Sequence, residues 1–215
     1  MKVLLFTKGA MNCGKWNTMA KNMLSNPFTA PTLSTGLYMA YFVHPRQNAR
    51  YDHAEMLLKI GVGTPQPVGY MNIRSGLLFD KSYYISLLST CPYIYDNLFT
   101  QQFDYAEEVF RAIGKVTARL HEHGYAHKDY GRANILFQKT PNGITIEIVD
   151  LNRMYIGPID MKTGCKNFER LPATPQMHRW MAEEYAKTRN FDVEKCFELM
   201  RAYRSVQPGK IDNLY

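Results

Sequence analysis

Three side chains in this sequence have the types and spacing that phosphoryl transfer requires. The stretch Ala126-His127-Lys128-Asp129-Tyr130-Gly131-Arg132-Ala133-Asn134-Ile135-Leu136-Phe137 reads H-x-D-x-x-x-x-N, and Ile146-Glu147-Ile148-Val149-Asp150 is an apolar run ending in an acid. Such chemistry needs a carboxylate to orient and deprotonate the attacking hydroxyl, and oxygen ligands to hold Mg²⁺ against the nucleotide phosphates. Asp129 suits the first role; Asn134 and Asp150 suit the second as metal ligands. ATP and Mg²⁺ are the cofactors this reading implies. His127 is expected to brace the loop through a backbone hydrogen bond, with Asp129 placed as the proton acceptor. Arg132, inside the loop, has the planar fork to meet a γ-phosphate as charge migrates. Lys128 either touches an anionic substrate or is solvated. An isolated H-x-D or strand-end acid usually marks only a turn or a cap; order, spacing and the elements around these residues carry the signal together.

Those elements follow from local pattern. The β-prone runs Ile135–Gln138 and Ile144–Val149 are joined at Pro141-Asn142-Gly143. Asn-Gly favours a hairpin because both residues tolerate positive φ. The hairpin predicts that Asn134, at its entry, returns beside Asp150, at its exit. Upstream, Ala106, Val109, Phe110, Ile113, Val116 and Leu120 recur at helical spacing and predict a helix over Asp104–His123. Asp104 with Glu107 reads as a capping box and Gly124 as the stop. His121 and His123, on its last turn, are expected at the surface near the helix dipole. After Asp150, Leu151-Asn152 predicts a turn with Asn152 in the left-handed region.

The run from about Ala49 to Arg204 resembles the bacterial lipopolysaccharide kinases (the Kdo/heptose kinase-like group), relatives of the protein-kinase fold. The similar segments are His127–Phe137, Val149-Asp150-Leu151-Asn152-Arg153-Met154 and Gly164-Cys165-Lys166-Asn167-Phe168-Glu169-Arg170-Leu171. The last has no counterpart in generic kinases after the metal-binding Asp. The resemblance implies an α+β, protein-kinase-like two-lobe fold, with a reduced β-rich N-terminal lobe over 1–89 and a mainly helical C-terminal lobe over 90–215. It also implies a phosphotransferase whose acceptor is an anionic sugar or glycolipid hydroxyl. No Ala-Pro-Glu signature of peptide docking follows Asp150, which argues against an extended protein substrate.

The N-terminal part is less specific. Val3–Phe6 predicts a strand, and Gly9 and Gly14 after it fit either a phosphate-cradling loop or a hairpin turn. Lys21, on a run Thr18–Leu24, is the candidate clamp for the α- and β-phosphates; the alternative is a solvated lysine. Ala49–Ile60 predicts a helix stopped by Gly61, with Asp52 and Glu55 on a common face. Asp52 takes the family's acid position, and Glu55 has the longer reach toward Lys21. Val68–Ile73, Leu77–Phe79 and Tyr83–Leu88 predict three strands, the first two turned at Arg74-Ser75-Gly76. Ile85, Leu87 and Leu88 suit an adenine pocket or a core equally. Thr174–Thr188 and Asp192–Tyr203 predict two closing helices, before a polar tail Ser205–Tyr215.

Composition is that of an ordinary globular chain, 46% hydrophobic and 21% charged over 215 residues. A net charge of +7 implies an anionic partner: nucleotide, phosphorylated glycolipid or acidic membrane surface. Nucleic acid is not expected, because no Lys/Arg-rich run occurs. The four cysteines show no metal spacing, and no apolar run approaches the ~20 residues of a membrane span. A cytoplasmic protein, in peripheral contact with the inner face of the inner membrane, is expected. Two other readings stand beside the glycolipid kinase: a kinase with a small-molecule or protein acceptor, and a nucleotide-binding pseudokinase.

Overall fold

The computed structural model describes residues 4–6, 46–75 and 78–204. Gly9, Gly14 and Lys21, the loop Ser25–Gly36 and the tail Ser205–Tyr215 lie outside the described residues. The chain divides into two compact units, 1–52 with 66–88, and 53–65 with 89–215.

The first unit holds one three-stranded sheet. Strand β1 (Leu4–Phe6) pairs in parallel with β3 (Leu78–Leu87), and β2 (Pro67–Ser75) pairs antiparallel with β3 on its other side. The two runs expected as separate strands on either side of Asp80-Lys81-Ser82 are joined in the one strand β3, Leu78–Leu87. Pairing such as Asn72 with Ser82 carries the strand through its polar middle, and a register shift at Ile73/Arg74 absorbs the irregularity. The start of helix α1 (Arg46–Lys59) also belongs here. Its Arg50 is buried, with the guanidinium 5.5 Å from the Tyr84 ring centre, a cation–π contact. Partial burial of Tyr84 itself pushes its phenol up to about 12, against a smaller opposing pull from Arg50.

The second unit begins within α1, where Ala54 and Leu57 are fully buried; the helix stops as expected at Gly61 (φ 72°). Strand β4 (Tyr93–Ile94) and helix α2 (Asn97–Thr100) lead to α3 (Ala106–Glu122), whose apolar stripe packs on α5 (Pro175–Arg189). Val109, Phe110 and Ile113 are fully buried. At Gly114 the two helices come so close that a Cβ would stand 2.3 Å from the Met181 carbonyl oxygen. The capping box expected at Asp104 and Glu107 does not form. Tyr105 stands at the N-cap without a side-chain bond, and Glu107 instead pairs with Arg111 one turn on, at 2.7 Å.

Strand β5 (Tyr125–His127) pairs antiparallel with β8 (Met154–Ile156), and β4-β6-β7 form a second sheet. Strands β6 (Ile135–Thr140) and β7 (Gly143–Ile148) make the expected hairpin around Pro141-Asn142. Only Gly143 takes a positive φ there, since Pro141 and Asn142 turn the chain without one. Helices α4 (Met161–Lys166) and α6 (Val193–Tyr203) complete the unit, with Asp160, Thr174 and Asp192 capping α4, α5 and α6. Among the described residues no helix is long and apolar enough to cross a membrane.

Candidate active site

The second unit assembles the H-x-D-x-x-x-x-N loop from both ends of its hairpin. Strand β5 delivers His127, fully buried, into the loop. Its Nδ1 accepts from the Asp129 N–H at 3.1 Å, so Nε2 carries the proton and donates to the Val149 and Asp150 carbonyls at 3.1 and 3.0 Å. One imidazole thus ties the loop to the end of β7. Burial lowers its pKa, opposed by those carbonyls, and keeps the ring neutral as this bonding requires. His127 therefore makes the backbone brace expected of it.

A 3₁₀ turn (Arg132–Asn134) follows, and the Asn134 side-chain amide donates to the Asp129 carbonyl at 2.8 Å. The Asn134 carbonyl in turn accepts from the Val149 N–H at 3.0 Å. Asn134 and Asp150 are thereby brought together, as the hairpin predicted. Asp150 itself takes the left-handed conformation (φ 60°), which was expected of Asn152. The Asn152 side chain supports it, donating to Asp150 Oδ1 at 2.9 Å, and the Asn152 N–H bonds the Asp150 carbonyl at 2.8 Å. Asx residues tolerate this backbone because their short polar side chains bond locally, and here the first of the two takes it.

The side-chain oxygens suit Mg²⁺. The amide nitrogen of Asn134 is committed to Asp129, which leaves its oxygen as the atom that could ligate, and Asp150 carries a carboxylate two residues from its own support. Among the described residues no group of three or more His, Cys, Asp or Glu forms a metal cage.

The loop is anchored from below. Tyr130 is buried and its hydroxyl donates to Thr117 Oγ1 on α3 at 2.7 Å, while Thr117 donates to the Ile113 carbonyl at 2.7 Å. A second anchor runs through His121. It is 1% exposed, not at the surface as expected, because it continues the buried face of α3 one turn beyond Thr117. The Tyr185 hydroxyl donates to its Nδ1 at 2.9 Å, and its Nε2–H donates to Asn167 Oδ1 at 3.0 Å. The Asn167 amide then donates to the His127 carbonyl at 2.9 Å. Asn167 fixes one end of the chain: its nitrogen faces a carbonyl, so its oxygen must accept and His121 Nε2 must carry the proton, which leaves Nδ1 of the neutral ring as the acceptor. Burial brings the His121 pKa down to about 4, partly offset by the Asn167 bond. Gly164 makes room for the pair, since a Cβ there would overlap the Tyr185 hydroxyl. His123, by contrast, is exposed and caps the Arg119 carbonyl at 2.8 Å.

Asp129 has backbone bonds on both sides, and its Oδ1 forms an ion pair with Arg170. Arg132 is half-exposed and pairs with Asp96 at 3.1 Å. Glu55, in the second unit, is partly buried; Asp52, in the first, is exposed. Asn167, Arg170, Tyr185 and Tyr130 were given no individual role from sequence, and His121 was expected only as a surface residue. The run Gly164–Leu171 contains two of them, and the helical spacing of Thr117 and His121 was the available signal for a third.

A model of the lipopolysaccharide kinase (Kdo/WaaP) family matches residues 29–203. Among solved structures, WaaP in complex with acyl carrier protein is similar at a TM-score of 0.55 and 14% identity, over 73% of each chain. The Rio2 kinase–ADP/Mg²⁺–phosphoaspartate complex from Chaetomium thermophilum matches at a TM-score of 0.42 and 16% identity, over 83% of this chain and 44% of that one. No curated protein is matched by sequence. The fold is protein-kinase-like, with a sheet-containing N-terminal unit and a mainly helical C-terminal one. The chain is a kinase and belongs to the lipopolysaccharide kinase (Kdo/WaaP) family.

Proposed function

We propose that Asp129, Asn134 and Asp150 form the phosphoryl-transfer centre of an ATP- and Mg²⁺-dependent kinase acting on a sugar hydroxyl of lipopolysaccharide or a related glycolipid. The observation that carries this reading is the shared frame: His127 and Asn134 each bond both the Asp129 segment and the Val149–Asp150 segment. A site that works by positioning needs its base and its metal ligands locked to one another.

In this reading Asp129 accepts the acceptor hydroxyl's proton as that oxygen attacks the γ-phosphorus. The bond from phosphorus to the ADP oxygen breaks, and ADP departs with its electron pair. Asn134 and Asp150 would hold Mg²⁺, which would supply positive charge against the phosphate oxygens. Arg132 turns from Asp96 to the γ-phosphate; an exposed pair of this kind is worth only about 0–1 kcal/mol, so release is cheap. The roles of Gly9, Gly14 and Lys21, with Asp52 or Glu55 as partner, rest on sequence. The net charge of +7 favours an anionic acceptor and peripheral contact with an anionic membrane surface, on the cytoplasmic side.

The test is phosphoryl transfer from radiolabelled ATP with Mg²⁺ to a panel of lipopolysaccharide precursors, simple sugars and peptides. Label on the saccharide alone supports the reading. Label on peptide alone, or on nothing while ATP binds, overturns it.

A further inference from the structure

We propose that Arg170 is a substrate-released latch on Asp129: it reads an anionic group carried by the acceptor, and by moving to that group it frees the carboxylate to take the hydroxyl proton. This rests on the kinase reading above for the role of Asp129, and on the observed ion pair for that of Arg170.

The Asp129 backbone is immobilised, its N–H by His127 and its carbonyl by Asn134, so its carboxylate is presented at a fixed place. The Arg170 guanidinium reaches it from the turn after α4 and occupies Oδ1. A guanidinium on Oδ1 competes with the proton this carboxylate is to accept, and losing that partner removes the competition. The pair is built to be lost. Its side chains are 33% exposed for Asp129 and 54% for Arg170, so solvent screens them and an incoming anion can compete.

The surroundings select an anion. Lys128 and Arg153 are joined by a backbone hydrogen bond at 2.7 Å, directly beside Asp129, and both side chains are exposed. Lys166 is exposed one residue before Asn167, which bonds the His127 carbonyl. None of these three cations has an ion-pair partner among the described residues, and Lys166 also lines an open cavity with Lys162, Thr163 and Tyr203. These cations lie on the chain segments that carry Asp129 and Arg170, and such a distribution of charge favours an anionic occupant over a neutral one. A phosphate or carboxylate on the acceptor can replace Asp129, and the planar guanidinium recognises either through two parallel bonds. A neutral sugar has no charge with which to replace the Asp129 carboxylate and leaves the latch closed, which makes this residue a filter for saccharides already carrying charge.

The test titrates glucose 6-phosphate, glucuronate and glucose into the wild type, Asp129→Asn, Arg170→Gln and the double variant, by calorimetry without nucleotide. Because no turnover is read, failure of the kinase reading in a transfer assay is a separate result. Asn at 129 cannot hold Arg170 as tightly, so binding of at least one anionic sugar should tighten about two- to fivefold, the range that exposed ion pairs span. Arg170→Gln should weaken that binding, and adding Asp129→Asn to it should restore nothing. Response to only one of the two anions identifies the acceptor's group as phosphate or carboxylate. The proposal is overturned if Asp129→Asn leaves binding of both anions unchanged or undetectable. It is equally overturned if its gain persists undiminished with Gln at 170, or if glucose responds alike.

Discussion

The side-chain amide of Asn134 donates to the main-chain carbonyl of Asp129 at 2.8 Å, so a metal-ligand candidate also holds the candidate base in place. One substitution should therefore register in two measurements. Asn134→Ala removes a hydrogen bond worth about 1 kcal/mol and an oxygen ligand together. Thermal unfolding should fall modestly without ligand, and the stabilisation given by ATP with Mg²⁺ should shrink much more. Equal losses with and without nucleotide would assign Asn134 to the loop alone.

Asp150 calls for a substitution that respects its backbone. Alanine at φ 60° adds strain unrelated to the metal, whereas asparagine tolerates that region. Asp150→Asn should unfold near the wild-type temperature yet lose most of the Mg²⁺-dependent part of the ATP-induced thermal shift. A full shift in the variant would make Asp150 an ordinary strand-end acid.

The chain Tyr185–His121–Asn167–His127 should behave as one unit. Asn167→Leu strands the His121 N–H and the His127 carbonyl in the interior, and each such buried group costs about 1–3 kcal/mol. Urea unfolding should show a loss of that combined size. Adding His121→Phe to Asn167→Leu should cost less than the two single losses summed, because the partners are shared. Full additivity would show that the two residues act separately.

What the sequence made legible was local. Asn134 and Asp150 sit at the ends of one hairpin, and α3 repeats its apolar residues every three or four positions; neither needs knowledge of distant partners. The latch and the anchors are long-range. Asn167 meets His127 across 40 positions, Arg170 meets Asp129 across 41, and Tyr185 meets His121 across 64. A histidine near a helix C-terminus has a local reason to be exposed, and only α5 packing on α3 reverses it. Strand β3 misleads in the same way: Asp80-Lys81-Ser82 breaks the apolar pattern, and only its pairing with β2 carries the strand through.

Acid should weaken the fold through its buried histidines. His121 is held near 4 by burial, and His178, whose two ring nitrogens are buried without partners among the described residues, is held near 4 by burial and by Arg204. Against 6.5 in the unfolded chain, the unfolded state binds more protons between about pH 6.5 and 4, so stability is full above that window and is lost on descending through it. Between pH 7 and 5 each histidine should cost about 2 kcal/mol, read as a falling urea midpoint. His178→Phe should flatten the slope, leaving the contributions of His121 and His127. An unchanged slope would mean that His178 titrates normally.

The role of Asp129 is tested most directly by phosphoryl transfer with Asp129→Asn, measured beside ATP affinity. Asparagine keeps the shape and the backbone bonds but removes the base, and general-base catalysis contributes about 10²–10⁴-fold. Transfer to a saccharide acceptor should fall by that range while nucleotide affinity stays close to wild type. Transfer at the wild-type rate with asparagine at 129 would contradict the assignment of Asp129 as the base.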